Sequence, residues 1–416
     1  MYAIRLIRNY QEAFPGDCLH LRIFSRHVFA HSNGTFRGKK YRLQIFPSFL
    51  LIFLPYFLNG KTYLCVTFFY KKHTTVKKTF LIAGIISLFL AFPLVGKAQY
   101  TEFRPGEVWN DTEGNYINAH GGGILYHNGT YYWYGEYKKG KTILPEGATW
   151  ECYRTDVTGV GCYSSKDLMN WKFEGIVLPS VKDDPNHDLH PSKVLERPKV
   201  IYNRKTGKFV MWMHVDSADY GKASAGVAVS DSPTGTFTYL GSFRPNDAMS
   251  RDQTVFVDDD GRAYQFYSSE NNATMYISLL TDDYLKPSGR FTRNFIGMSR
   301  EAPAVFKHDG KYYLITSGCT GWDPNVAEIA VADSIMGEWK TIGNPCTGPD
   351  AEKTFYAQST FVMPVAGKKD AYIAMFDRWN KTDLRNSRYV WLPIVFKDGK
   401  VTIPWRKEWT LDVFDK

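Results

Sequence analysis

Beyond residue 99 the chain alternates short apolar runs with polar turns and carries almost no helical period. Residues 123–134 set the pattern: an apolar stretch, an Asn128-Gly129 turn, then a second stretch rich in aromatics. The same features return at 199–212, 254–264, 304–315 and 360–375. Each reads as a β-hairpin whose turn needs Gly, Asn or Asp at positive φ. The first four turn glycines, Gly129, Gly207, Gly261 and Gly310, stand 78, 54 and 49 residues apart. Several hairpins are followed by another strand pair with an aromatic end, at 160–163 with 171–173, 225–230 with 237–240, and 328–332 with 339–341. Five units of about four strands predict an all-β fold, a five-bladed β-propeller over 99–416, with a β-sandwich as the alternative. Residues 405–414 are placed to return beside the N-terminal strand and complete the ring.

Four residues before the matching apolar position of each hairpin (Ile124, Val200, Phe256, Val305, Val362) stand His120, Glu196, Asp252, Glu301 and Gln358. In a propeller the first strand of each blade lines the axis, so these five positions are expected to ring one pocket. Three are carboxylates. Clustered carboxylates raise one another's pKa, and one of them then stays protonated near neutrality and serves as an acid. Glycoside hydrolysis uses such a pair, one group protonating the leaving oxygen and another activating water. Trp322, Tyr220 and Trp379 lie in loop-like segments and are candidate platforms for sugar faces; packing between blades is the competing role of any aromatic here.

Charge alters the picture once it is divided. The 416 residues hold 51 Lys+Arg against 42 Asp+Glu, a formal +9 that invites a nucleic-acid reading. Residues 1–98 hold 14 basic and 2 acidic side chains, leaving 37 and 40 for residues 99–416. The folded body is nearly neutral, and no nucleic-acid partner is expected.

Residues 76–98 read as a signal peptide. Lys77-Lys78 precede an apolar run over 80–95, and Gly96-Lys97-Ala98 suits cleavage before Gln99. The run contains Pro93 and is shorter than the roughly 20 residues of a spanning helix, and no Cys follows, so no stable membrane anchor is expected after cleavage. Residues 1–75 read as upstream sequence ahead of the true start, with Val76 a plausible initiator and a membrane-associated prefix as the alternative. The expected product is exported, periplasmic or secreted, and monomeric. It keeps Cys152, Cys162, Cys319 and Cys346, for which the local pairs Cys152–Cys162 and Cys319–Cys346 are the first choice among three connectivities. Their spacing contains no CxxC, so no zinc site is expected.

Several distinctive stretches follow one another along the chain: 118–124 (Asn-Ala-His-Gly-Gly-Gly-Ile), 133–136 (Trp-Tyr-Gly-Glu), 196–200 (Glu-Arg-Pro-Lys-Val) and 250–252 (Ser-Arg-Asp). They continue with 258–260 (Asp-Asp-Asp), 301–303 (Glu-Ala-Pro), Gly321-Trp322, 356–358 (Tyr-Ala-Gln) and 377–379 (Asp-Arg-Trp). Together they resemble glycoside hydrolase family 43, and within it the exo-β-1,3-galactanase branch. The resemblance implies an inverting enzyme. The family's usual general-base Asp is missing, since that region reads Ile117-Asn-Ala-His120, a departure the galactanase branch shares.

Carried over by residue, the resemblance makes Glu301 the proton donor. Gln358 holds or activates the water, through its imidic acid tautomer in one version, and Glu196 orients the substrate or tunes the acid. Because a neutral amide is a very weak base, the alternative is that Glu196 or Asp252 deprotonates the water while Gln358 only positions it. Asp252, Glu136, Tyr220, Trp322, Arg378 and His120 are assigned to substrate, a buried structural histidine being the competing role of His120. No metal is assigned and no cofactor is required. A structural calcium lacks sequence support, since the Asp-Asp-Asp-Gly turn at 258–261 has no EF-hand ligand pattern.

The expected partner is an oligo- or polysaccharide, and the expected activity is exo-hydrolysis of β-1,3-galactan, the arabinogalactan backbone. An α-L-arabinofuranosidase or β-xylosidase is the alternative among enzymes, and a non-catalytic glycan-binding propeller the alternative outside them. The Asn-Ala-His segment favours galactan, and the presence of both Glu196 and Glu301 favours catalysis.

Overall fold

Alternating apolar and polar runs become strands throughout. The computed structural model describes residues 99–415 except 149, together with strand segments between 21 and 70. The chain divides into two units, Met1–Leu94 and Val95–Lys416. In the first, β1 (Leu21–Phe24) pairs with β2 (His27–Ala30), and β3 (Gln44–Phe46), β4 (Phe49–Leu58) and β5 (Lys61–Tyr70) form a meander. The expected signal peptide and much of the expected extension over 1–75 lie outside the described residues. Among those described, no helix is long and apolar enough to cross a membrane.

The second unit is built mainly of antiparallel sheets, the first five in sequence order. Sheet 1 holds β6 (His120–His127), β7 (Thr130–Lys138), β8 (Val157–Ser165) and β9 (Lys172–Pro179). Sheet 2 holds β10 (Val194–Asn203), β11 (Lys208–Asp216), β12 (Ser224–Ser230) and β13 (Thr238–Phe243). Sheet 3 holds β14 (Gln253–Val257), β15 (Ala263–Ser269), β16 (Thr274–Leu280) and β17 (Pro287–Asn294). Sheet 4 holds β18 (Arg300–His308), β19 (Lys311–Gly318), β20 (Glu328–Ala332) and β21 (Lys340–Gly343). After β22 (Cys346–Thr347), sheet 5 holds β23 (Gln358–Pro364), β24 (Tyr372–Arg378) and β25 (Arg388–Pro393). A sixth sheet orders β22, β27 (Lys400–Pro404) and β26 (Val395–Lys397).

All five expected hairpins form. In β6–β7 the register closes His127 on Thr130 across Asn128 and Gly129, whose φ values are 47° and 74°. Two successive positive φ values make a type I′ turn, whose twist matches the flanking strands. Asp309-Gly310 repeats it between β18 and β19.

The expected count of five blades is corrected: the propeller carries six sheets. The extra one escapes a hairpin search because its strands are two, three and five residues long, and because β22 joins β27 in parallel across half a hundred residues. The first strands of sheets 1 to 5 neighbour one another in a closed series, β6–β10–β14–β18–β23–β6. Apolar clusters fill the spaces between successive sheets. Val200, Met211 and Tyr134 pack between sheets 1 and 2, and Phe266, Leu314 and Val305 between sheets 3 and 4.

Sheets 5 and 1 meet over the largest aromatic cluster, which includes Trp133, Trp171, Trp391 and Trp409. Here the chain ends close the ring, as the sequence led one to expect. Phe103 and Trp409 exchange backbone hydrogen bonds of 2.8 and 3.0 Å, and their rings stack at 4.2 Å. The Trp409 indole also donates to the Trp391 carbonyl at 2.9 Å.

The expected disulfides are corrected too, since Cys152, Cys162, Cys319 and Cys346 are all free. Their side chains face different interfaces. Cys162 lies in the core between sheets 1 and 2, Cys346 in that of sheets 4 to 6, and Cys319 on the cavity described below.

Trp409→Ala removes the side-chain part of the ring closure, the stacking on Phe103 and the indole bond to Trp391, and is expected to cost about 3–5 kcal/mol. Urea unfolding of this variant checks it, through a lowered midpoint; an unchanged midpoint contradicts the closure.

Candidate active site

Four of the innermost strands begin with the same irregularity. The register gains one residue between His120 and Gly123, between Glu196 and Lys199, between Glu301 and Ala304, and between Ser359 and Phe361. A bulge bends its strand and re-aims the side chain beside it. In the first three the next residue holds a left-handed backbone, at φ 61° for Gly121, 51° for Arg197 and 55° for Ala302. Pro198 and Pro303 occupy the unpaired bulge positions, where a missing N–H costs no ladder bond. At Gly121 the requirement is double, because a Cβ there would collide with the Glu136 carboxylate as well as strain the backbone.

These bulges turn their polar residues toward a cavity of about 330 Å³ on the axis. Glu136, Glu196, Asp252, Glu301 and Gln358 all line it, with Tyr220, Trp322 and Trp379 among its aromatic walls. Two candidates are not brought there. His120 is buried beneath, where Nδ1 meets Asp377 Oδ1 at 2.9 Å and the ring stacks on Tyr389 at 4.4 Å. Arg378 turns away, donating through Nε and Nη2 to the Phe355 carbonyl and lying over Trp405. Both were expected to touch substrate, and here both side chains contact the surrounding protein instead.

Glu301 and Gln358 touch. Gln358 Nε2 donates to Glu301 Oε1 at 2.9 Å and to Ser317 Oγ at 3.0 Å. Its Oε1 accepts from Arg197 Nη2 at 2.6 Å and from Trp379 Nε1 at 3.0 Å. Arginine and indole nitrogens can only donate, so the amide oxygen must face them and the amide nitrogen must face Glu301. The second Glu301 oxygen lies 3.2 Å from Asn272 Nδ2. Burial, and after it the charge of Asp252, push the Glu301 carboxyl up to about 8, against the opposing pull of Arg197.

Glu196 is held in the opposite state. Its Oε1 accepts from the Tyr220 hydroxyl at 2.7 Å, and its Oε2 lies 3.2 Å from His214 Nδ1. The other ring nitrogen of His214 meets Asp216 Oδ2 at 2.8 Å. Asp216 in turn accepts from the backbone of Ser217 and Ala223, fixing the loop that carries Tyr220. Burial disfavours a charged His214, but the hydrogen bonds it donates to Asp216 and Glu196 outweigh it and raise the ring to about 9. For Glu196 burial is likewise overcome, by His214 and Tyr220, and the carboxyl falls to about 2. One oxygen or nitrogen of each of Glu196, His214 and Asp252 lies within 4.8 Å of the others, close enough to surround a cation. Both ring nitrogens of His214 already meet carboxylates, Glu196 and Asp216.

Beneath this layer the side chains are buried and interlocked. Glu136 pairs with Lys138 and accepts from the Arg197 backbone N–H at 2.9 Å. Lys199 donates to the Gly121 carbonyl at 2.6 Å, and burial, followed by the charge of Arg197, lowers its ammonium to about 7. Sequence reasoning passed over Arg197, His214, Asn272 and Trp150, all on the cavity wall. Arg197 stands inside the Glu-Arg-Pro stretch itself, and His214 is the cross-strand partner of Glu196, so the hairpin register held the signal for both.

The family model for glycosyl hydrolases family 43 matches residues 123–375. Among solved structures, a family 43 β-1,3-galactosidase with galactodeoxynojirimycin is 45% identical, covering 74% of this chain and 100% of that one at a TM-score of 0.69. An exo-β-1,3-galactanase from Phanerochaete chrysosporium, solved as a variant with β-1,3-galactotriose, is 36% identical over 76% and 69% of the two chains, TM-score 0.68. Another from Clostridium thermocellum is 39% identical over 74% and 66%, TM-score 0.65. No curated protein matches the chain.

Asp252→Asn takes away a charge that raises the Glu301 carboxyl and frees Arg197 from an ion pair of 2.9 Å. Carbon-13 NMR titration of the variant is expected to give a Glu301 pKa below about 8. An unshifted value would contradict the coupling.

Proposed function

The chain belongs to glycosyl hydrolases family 43, and from that premise we propose that it releases terminal galactose from β-1,3-galactan with inversion, Glu301 acting as general acid. The observation that carries this reading is the opposed state of two carboxyls in one cavity, Glu301 near 8 and Glu196 near 2. Two titratable groups pushed apart by their surroundings mark an acid and its ionised counterpart. The galactan substrate rests on the solved relatives, which are named as β-1,3-galactosidase and exo-β-1,3-galactanases. The signal peptide read at 76–98 fits a polysaccharide met outside the cytoplasm.

In this reading a galactose fills the cavity against Trp322 and Trp379, whose rings meet edge to face at 5.3 Å. Glu301 gives its proton to the glycosidic oxygen, and the bond to the anomeric carbon breaks. The ionised Glu196 stabilises positive charge developing on the ring. Water arrives on the opposite face, where Gln358 holds it once the entering sugar has displaced its bond to Glu301. The amide oxygen of Gln358 already takes two N–H donors, one from a guanidinium. An imidic acid would have to place its own proton among them, so the ordinary amide is favoured and Gln358 positions rather than deprotonates. The water's proton passes to Asp252, since His214 and Tyr220 hold Glu196 in its ionised state.

Glu301 must be protonated to act, so activity is expected to fall as pH rises through about 8. Glu301→Gln is expected to lower kcat on β-1,3-galactobiose by about 10²–10⁴-fold and to abolish that basic limb. NMR of the first product should show α-galactose; β-galactose appearing first would overturn inversion. Gln358→Ala should lose activity while Gln358→Glu retains part of it, and a fully active Ala variant would remove Gln358 from the mechanism.

A further inference from the structure

Three loops at the cavity each carry one of its tryptophans, and one lysine touches all three loops. Trp150 is followed by Glu151 in the connection from β7 to β8, and Trp322 by Asp323 in the connection from β19 to β20. Trp379 stands two residues before Lys381 in the connection from β24 to β25. Lys381 Nζ lies 2.6 Å from Glu151 Oε2 and 3.0 Å from Asp323 Oδ1.

Each loop is braced so that a tie at this point is transmitted. The Leu384 N–H donates to Thr142 Oγ1 at 2.8 Å, a second link between the loops of sheets 5 and 1. In the sheet 4 loop, Asn325 bonds both the N–H and the carbonyl of Gly318, and Thr320 Oγ1 donates to the Asp323 carbonyl at 2.6 Å.

Sheets 1, 5 and 4 are consecutive around the axis, so the tie spans one continuous side of the mouth. The opposite side, from sheets 2 and 3, presents Asp219, Arg251 and Asn272. Asn272 meets the Glu301 oxygen that does not bond Gln358, which leaves that side for the departing part of the substrate.

We propose that Lys381 determines specificity: the ionic clip Glu151–Lys381–Asp323 closes the cavity behind the terminal sugar, holds three tryptophans as its wall, and restricts cleavage to chain ends. This rests on the galactan reading given above. The side chains of Lys381, Glu151 and Asp323 are 31%, 55% and 64% exposed, so the clip is open to screening by salt.

The test compares Lys381→Met and Lys381→Arg with the wild type in the full chain. For Met, KM on β-1,3-galactobiose should rise about fivefold, the equivalent of about 1 kcal/mol, with kcat within about twofold. Arg should restore the wild-type value. Raising NaCl to about 1 M, where the screening length is about 3 Å, should bring the wild type to the Met value and leave Met unchanged. Met should also release galactobiose beside galactose from the polymer. Equal KM and equal salt response in Met and wild type would overturn the clip. Acrylamide quenching of tryptophan fluorescence needs no hydrolysis, and should increase in Met at low salt and in the wild type at high salt. That quenching response in a protein inactive on galactan would uphold the clip and overturn only the substrate reading; unchanged quenching would overturn the clip itself.

Discussion

The arrangement depends on one buried guanidinium. Arg197 reaches Gln358 through Nη2 at 2.6 Å, Asp252 through the same nitrogen at 2.9 Å, and the Ser359 carbonyl through Nη1 at 2.8 Å. Its own backbone N–H is held by Glu136. A charge taken out of water is costly unless paired and hydrogen-bonded, and here burial is outweighed by Asp252, Glu301, Asp377 and Glu136, so its pKa is raised. Because the fork can only donate, every group around it must present an acceptor. That requirement fixes the amide of Gln358 and turns its nitrogen toward the acid.

Two neighbouring networks then give the carboxyls different roles. Glu301 receives hydrogen bonds from the amide nitrogens of Gln358 and Asn272, sits beside the charge of Asp252, and stays neutral around pH 7. Glu196 stands against a histidine clamped by a second carboxylate and stays ionised. Neither state follows from residue type. The Asp216–His214–Glu196–Tyr220 series also ties the charge of Glu196 to the loop that supplies an aromatic wall, so ionisation and shape share one set of contacts.

Much of this was legible along the chain. The hairpins follow from turn chemistry at Asn128-Gly129 and Asp309-Gly310, and circular closure follows from repeated units of similar length. The five polar positions emerge from the same register. What alignment could not supply is direction. A bulge re-aims Glu196 and Glu301 into the cavity, while the bulge at His120 leaves that side chain beneath it, paired with Asp377. The sixth sheet was hidden because β22 and β27 are short and joined in parallel, a pairing that leaves no local turn signature. Cysteine spacing misled for a related reason, since Cys346 lies in the core of sheets 4 to 6 while Cys319, its expected partner, lies on the cavity. Arg197 lay in plain view within Glu-Arg-Pro, but its hydrogen bonds to residues 161 and 162 positions away exist only after the ring has closed.

The claim at the centre is that Arg197 fixes Gln358 as an ordinary amide whose nitrogen faces a protonated Glu301. Neutron diffraction from deuterated crystals at pH 7 tests it directly. The account predicts two deuterons on the Gln358 nitrogen, aimed at Glu301 and Ser317, none on its oxygen, and one on the Glu301 carboxyl. A deuteron on the Gln358 oxygen, or a bare Glu301, would contradict it.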